Sequence, residues 1–336
     1  MPVSDVCLTL QEAERLVTGA LMRSRTAEPA ARSAARALVA AEAVGQVGHG
    51  LRRVVAYAAQ AASGKVDGFA KPEVMETAPG VLAVDACFGF AYPALDLAAA
   101  RLPELAARQG IAMATIRRSH HCGALGLVVE ALAGRGVIAL MLANTPAAMA
   151  PWGGRTPLFG TNPIAFAAPV EGRPPIVVDM SLSKVARGKI MAARQTGESI
   201  PEGWAFDREG RPTTDPAAAL AGAMAPVGDA KGTALALMVE LLAAGIAGAN
   251  FAYEATSFFD AQGAPPGVGQ VIIVIDPSRA GSDAALKRFA EMAERIEAEP
   301  NGRVPGRRRQ ALRREAEADG IAVDEKLLAE IAAIGR

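Results

Sequence analysis

The sequence predicts an α/β fold, and three observations carry that expectation. The first quarter of the chain reads as helix throughout. From Gly80 onward, short apolar runs alternate with helix-length amphipathic segments. Those short runs are apolar on both faces, which indicates a sheet covered on both sides rather than one left open to water.

The elements follow in order. Thr9-Leu10-Gln11-Glu12 has capping-box form, the Thr side chain accepting from a helix N–H while Glu12 reaches back. A helix over 10–22 follows, and Thr26 is read as the cap of a second over the Ala-rich segment to 44. Gly45, Gly48 and Gly50 interrupt, and helical spacing resumes over 51–62 before Gly64 stops it. Strands are expected at 81–85, 110–116, 137–143, 164–168, 176–178 and 271–275, with helices over 91–108, 124–135, 217–224 and 232–247. Residues 144–162 form a long Pro- and Gly-rich loop, and loops of that length are commonly functional. Residues 188–216 are polar and turn-rich, consistent with a surface excursion. Ser282 or Asp283 opens a helix to 298, and charged helices are expected over 307–318 and 324–334. These elements divide into an N-terminal helical segment (1–78), a central α/β lobe (79–280) and C-terminal helices (281–336) that pack with the N-terminal segment.

Composition narrows the function. The 336 residues are 51% hydrophobic and 21% charged, which suits a globular enzyme with a large core. Net charge is zero, so no global field favours nucleic acid or an anionic membrane. Cys7, Cys87 and Cys122 are odd in number and form no CxxC pair, as expected of a cytoplasmic protein. Acidic residues at Asp5, Glu12 and Glu14 break up any signal-peptide core, and the most apolar helix is interrupted by Glu240 and several glycines. There is no GxGxxG, P-loop, zinc pattern or GxSxG, so a Rossmann fold, a metal site and a serine hydrolase lack support.

What remains is a short list of histidines. His120 and His121 lie in Ser119–Gly126, between an apolar strand and a helix start. Such junctions offer backbone N–H groups to anions and aim side chains beyond the strand end. The third is His49, in Gly48-His49-Gly50-Leu51-Arg52-Arg53. Helical spacing places His49, Arg53 and Tyr57 on one face, where a guanidinium grips a carboxylate while a histidine moves a proton. Spacing alone favours the plainer reading, a surface arginine beside a capping histidine. Cys122 is placed for a reactive thiol, yet a small packed residue needs no such role. The run from Arg303 to Arg314 reads as a solvated helix face for most of its arginines.

Taken together, the motifs resemble the malate/L-lactate dehydrogenase family of non-Rossmann oxidoreductases. Gly48-His49-Gly50 with Arg53 resembles its Ser-His-Gly-x-x-Arg signature, and Ser119-His120-His121-Cys122-Gly123 its Ser-Asn-His-Phe-Gly. The likeness continues through 157–163, Asp179-Met180, 185–189, Lys231-Gly232 and 303–308. It implies a mixed-sheet nicotinamide-binding lobe with a helical lobe from both chain ends, usually in a homodimer. It implies hydride transfer between NAD or NADP and a small 2-oxo/2-hydroxy acid of the malate, lactate or sulfolactate type. The alternative within the family is reduction of a cyclic or N-alkyl 2-imino acid. By position, His49, His121 and Lys189 are the catalytic candidates, and Arg53, Tyr57 and Thr161 the substrate contacts. His121, Cys122, Gly123, Ala124, Leu125, Asp179, Arg187, Gly188, Lys189, Arg303, Gly306 and Arg308 are the cofactor contacts. The chain departs from the pattern at Gly48, where the family has Ser, so a Ser–His relay is lost. Lys189 resembles the hydroxy-acid branch, whereas Phe90-Ala91 and 212–216 resemble the imine reductases.

Overall fold

A computed structural model describes residues 5–281 and 284–336. The N-terminal strand β1 (Asp5–Leu8) leads into α1 (Leu10–Arg23), whose capping box at Thr9 and Glu12 forms as expected. Helix α2 (Glu28–Ala43) differs in its start. Its N-cap is Ala27 without a side-chain bond, and Thr26 Oγ1 turns back to the Ser24 carbonyl, with Pro29 setting the first turn instead. Two 3₁₀ turns, Val47–His49 and Leu51–Arg53, precede α3 (Val54–Ser63). The helix expected from residue 51 therefore begins three residues later, and His49, Arg53 and Tyr57 do not share one regular helical face.

The central sheet contains β2 (Glu73–Ala78), β3 (Val81–Asp85), β4 (Ile111–Ser119), β5 (Ile138–Ala143), β6 (Ile164–Val170), β7 (Arg173–Met180) and β11 (Val268–Ile275). Three two-residue strands, β8 (Ala205–Phe206), β9 (Pro212–Thr213) and β10 (Ala223–Met224), form a small separate sheet. In the large sheet the order is β2-β3-β4-β11-β5-β6-β7, with only β3 and β4 parallel. The sheet is thus mixed, and the crossover helix between its one parallel pair is α4 (Ala91–Gln109). Helix α5 (Leu125–Ala133) joins β4 to β5.

Residues 188–216 are less irregular than their polarity suggests. They contain most of α6 (Arg187–Thr196), closed by left-handed Gly197, whose composition is too polar to advertise a helix. The expected helix over 217–224 shortens to α7 (Pro216–Ala221), and its last residues pair as β10. Helix α8 (Ala230–Glu240) runs into a π-helical turn, Leu241–Ile246. A short α9 (Pro277–Ala280) follows β11, then α10 (Ala285–Ala298); the expected cap at Ser282 or Asp283 lies outside the described residues. The chain ends with α11 (Arg307–Asp319), β12 (Ile321–Asp324) and α12 (Glu325–Ala333). Strand β12 pairs antiparallel with β1, which neither segment's sequence signalled, and so ties the two chain ends together. The main core lies between α1–α5 and the large sheet, and a second cluster lies beneath α6, α7 and α8. Among the described residues no helix is long and apolar enough to cross a membrane.

Candidate active site

The strand-to-helix junction forms where the sequence placed it, with β4 ending at Ser119 and α5 beginning at Leu125. Opposite it, the two 3₁₀ turns carry His49 and Arg53. The Glu42 carboxylate of α2 accepts from Leu51 N–H at 2.8 Å and ties down the second turn. Gly50 leaves room for that carboxylate, which a Cβ there would displace. A cavity of about 520 Å³ opens between these segments, and His49, Arg53 and residues 121–125 line it together with Thr161, Asp179, Arg187 and Gly188.

His49 and His121 are stacked, with ring centroids 5.2 Å apart and an interplanar angle of 14°. His49 Nδ1 lies 3.2 Å from His121 Nε2, so the rings share one hydrogen. Burial pushes His49 down to about 4, with the Arg53 charge adding to the effect. His121 is driven well below its ordinary value by burial, then by Arg53 and His49. Both rings are therefore neutral near pH 7. His120 is fully enclosed, edge-on to Tyr57, Phe90 and Phe258, and neither of its ring nitrogens has a partner among the described residues. Burial holds it at about 3. It is a packed residue, and His121 is the histidine of the pair that reaches the cavity.

Arg53 Nε donates to the Gly48 carbonyl at 2.8 Å, and its guanidinium lies 4.6 Å from the Phe259 ring centroid. No carboxylate pairs with it among the described residues, which leaves a desolvated cation facing the cavity. Phe258 and Phe259 are held in place by Lys65, whose buried Nζ donates to the carbonyls of Ser257 (2.8 Å) and Asp260 (3.1 Å). On the far wall, the Thr161 N–H donates to Thr145 Oγ1 at 2.9 Å.

Some expected residues stand elsewhere. Tyr57 is completely buried behind His121, with its hydroxyl 2.6 Å from His121 Nδ1, so it supports the histidine instead of lining the cavity. Lys189 sits on the exposed side of α6 and does not line the cavity, although its neighbours Arg187 and Gly188 do. Cys122 lines the cavity, but burial pushes its thiol up to about 12, which rules out a reactive thiolate at neutral pH. Arg303 is exposed and lines neither the cavity nor the groove beside it.

That groove, of about 400 Å³, shares Gln46 and Asp179 with the cavity and is walled by Gly306, Arg308 and Arg309. Asp179 Oδ2 accepts from Arg309 Nη1 at 2.9 Å and from Gln46 Nε2 at 3.2 Å. Arg308 is exposed on the groove and has no ion pair among the described residues. Sequence reasoning missed Gln46, Thr145, Phe258 and Phe259, which carry no motif of their own. Arg309 was within reach, since it belongs to the Arg-rich run, but nothing in that run singles out its partner Asp179.

The sequence profile of the malate/L-lactate dehydrogenase family matches residues 8–332. The chain belongs to this family. It is 50% identical over 308 residues to a (2R)-3-sulfolactate dehydrogenase (NADP⁺) of Chromohalobacter salexigens, covering 92% of each chain. It is 43% identical to a Δ1-pyrroline-2-carboxylate/Δ1-piperideine-2-carboxylate reductase of Pseudomonas putida, covering 94% of this chain and 93% of the relative. Among solved structures, the Δ1-piperideine-2-carboxylate reductase of Pseudomonas syringae superposes with a TM-score of 0.93 at 38% identity, covering 98% of this chain and 99% of the other. The protein is an NAD(P)-dependent oxidoreductase.

The residues present fit a dinucleotide. The α5 N-terminus has no side-chain cap among the described residues, so its first backbone N–H groups are offered beside the cavity. Arg308 supplies an unpaired cation in the adjoining groove. Gly126 has no room for a Cβ, which would come within 2.9 Å of both Asp179 and Arg309, so the backbone there runs close against the groove's ion pair.

Proposed function

We propose that the enzyme interconverts a small 2-oxo acid and the corresponding 2-hydroxy acid with NADP(H), and that the acid carries a second anionic group, as sulfolactate does. The observation that carries this reading is Arg53, a guanidinium with no carboxylate partner among the described residues, facing the same cavity as the neutral His49–His121 pair. Arg53 would hold the substrate carboxylate and so place the C2 oxygen at His49. When bound, the nicotinamide supplies or takes the hydride at C2. In reduction the pair, once protonated, gives the developing alkoxide a proton from His49 Nε2 and returns to neutral, a contribution of about 10²- to 10⁴-fold. In oxidation the same nitrogen accepts it. Gly48 cannot relay that proton, so His49 acts directly, with His121 behind it.

Arg187 supports the second anionic group. It lines the cavity, is desolvated by burial and has no ion pair among the described residues. The 50% identical sulfolactate dehydrogenase supports the same substrate class, and the NADP⁺ in its name agrees with Arg308, a cation without an ion pair among the described residues. The similarity to pyrroline- and piperideine-2-carboxylate reductases supports a second reading, reduction of a cyclic 2-imino acid at the same site. Initial rates of NADPH and NADH oxidation with sulfopyruvate, oxaloacetate, pyruvate and Δ1-piperideine-2-carboxylate separate the two. A kcat/KM highest for sulfopyruvate supports the proposal, and one highest for the cyclic imine replaces it.

We further propose a cytoplasmic homodimer. The free state of all three cysteines and the exposed apolar stripe of Leu237, Met238 and Leu241 support it. Sedimentation at a monomer mass would remove the dimer.

A further inference from the structure

A string of hydrogen-bonding groups runs from His49 away from the cavity into the core. His49 Nδ1 is 3.2 Å from His121 Nε2, His121 Nδ1 is 2.6 Å from Tyr57 Oη, and Tyr57 Oη is 3.1 Å from Tyr92 Oη. The four groups come from a 3₁₀ turn, the β4–α5 junction, α3 and the first turn of α4. Gly123 permits the last link, since a Cβ there would stand 2.7 Å from Tyr92 Oη.

Hydrogen counting fixes the direction of the string. Each phenol has one O–H and each neutral imidazole one N–H. In one direction Tyr92 donates to Tyr57, Tyr57 to His121 Nδ1, and His121 Nε2–H to His49 Nδ1. His49 then presents Nε2–H to the cavity, and every buried hydrogen has an acceptor. In the reverse direction the Tyr57 hydrogen goes either to Tyr92, whose own hydrogen then has no acceptor among the described residues, or to the His121 carbonyl over a long 3.4 Å. An unmade or overlong buried hydrogen bond is costly, and the first direction keeps the 2.6 Å bond to His121 Nδ1, so it prevails in the neutral pair. A protonated pair needs the opposite. His121 Nδ1 then carries hydrogen, and Tyr57 must rotate to accept it while donating its own hydrogen to Tyr92 or to the His121 carbonyl.

We propose that Tyr57, with Tyr92 as its counterpart, is a positioning residue whose rotating hydroxyl makes His49 and His121 a single acid–base unit. The proposal rests on the reading that His49 faces the substrate oxygen. In reduction the charged pair breaks the His49 Nε2–H bond, its electron pair stays on Nε2, and the proton forms the new O–H of the product. The hydrogen between the rings remains on His49 Nδ1, and the pair is left neutral in the reverse, less stable direction. In oxidation the same proton returns to Nε2 of a neutral pair in that reverse direction. Burial raises both phenols above their ordinary range, so the tyrosines orient the pair and do not supply its proton.

The charged and titratable groups around the string are Arg53, Asp179 and Arg309 at His49, Arg53 and His120 at His121, Lys65 at His120, and Cys122 beside the tyrosines. Arg53 is the strongest charge opposing protonation of either ring. A substrate carboxylate on Arg53 offsets it, so anion binding itself favours the charged pair.

Tyr57→Phe tests this, because it removes the hydroxyl but keeps the ring against Phe90 and His120. With only three histidines, ¹⁵N NMR of the imidazoles reads the tautomers without substrate. The wild type should show Nε2–H at both His49 and His121, and Tyr57→Phe a mixture at His121. The pH limb of reduction should move down by roughly one to two units, and kcat should fall about 10- to 100-fold, as expected for a lost hydrogen bond to a charged group. KM and NADPH affinity should hold within about twofold. Tyr92→Phe should shift the same readouts less, and it carries the test if Tyr57→Phe does not fold. Wild-type tautomers and an unmoved limb in the folded variants overturn the proposal, whatever happens to kcat or Tm. If the wild type turns over none of the acids, the functional reading fails, while the NMR comparison still decides the pairing.

Discussion

Arg53→Lys isolates substrate binding from chemistry. Arg53 spends Nε on the Gly48 carbonyl, and neither Nη has a protein partner among the described residues, so both are available to a carboxylate. The group is also desolvated, since burial pushes its pKa below the usual arginine value, and an anion beside it is therefore weakly screened. Lysine keeps the charge but offers a point donor in place of a planar fork. Losing one charge-assisted hydrogen bond costs about 1.5–3 kcal/mol. At about 1.4 kcal/mol per tenfold, KM for the 2-oxo acid should rise roughly 10- to 100-fold. The kcat should fall much less, because His49 and His121 are untouched. Initial rates at saturating NADPH with varied 2-oxo acid measure both constants. An unchanged KM would show that the carboxylate does not sit on Arg53, and the orientation proposed for the whole substrate would fall with it.

Further outcomes follow from the same geometry. His49→Ala should lower kcat by about 10²-fold or more while NADPH binding, followed by nicotinamide fluorescence, stays unchanged; near-wild-type kcat would transfer the proton to His121. Arg308→Ala should weaken NADPH more than NADH if its cation meets the 2′-phosphate, and equal, negligible effects in titrations would return Arg308 to the solvated surface. Stability should decline on acidification from pH 6.5, because burial holds His49 down at about 4 and His120 at about 3. The unfolded chain then binds protons that the folded chain refuses, so stability is full above pH 6.5 and falls by at most about 1.4 kcal/mol per pH unit per histidine. His120→Phe should remove part of that slope, and parallel urea midpoints for wild type and variant at pH 7 and pH 5 would refute the assignment.

The sequence by itself determined what depends on near neighbours. The Thr9–Glu12 capping box, the left-handed stop at Gly64, the apolar strands and the β4–α5 junction all arise from interactions within a few residues. Motif order was enough to indicate the family and a mixed sheet. Tertiary structure decided the rest. Residues 5–8 and 321–324 are too short and too ordinary to announce strands, and they become strands only because each meets the other. Tyr57 has the spacing of a substrate contact, yet packing against Phe90 and Tyr92 turns it into the core. His120 and His121 are indistinguishable as letters, but alternate directions of the chain send one ring among aromatics and the other to His49. Lys189 keeps its place in a motif while its helix turns it to solvent. The sign of a histidine's charge near pH 7 is likewise no property of the residue. It depends on desolvation and on Arg53, which come together only when segments far apart in sequence close around the cavity.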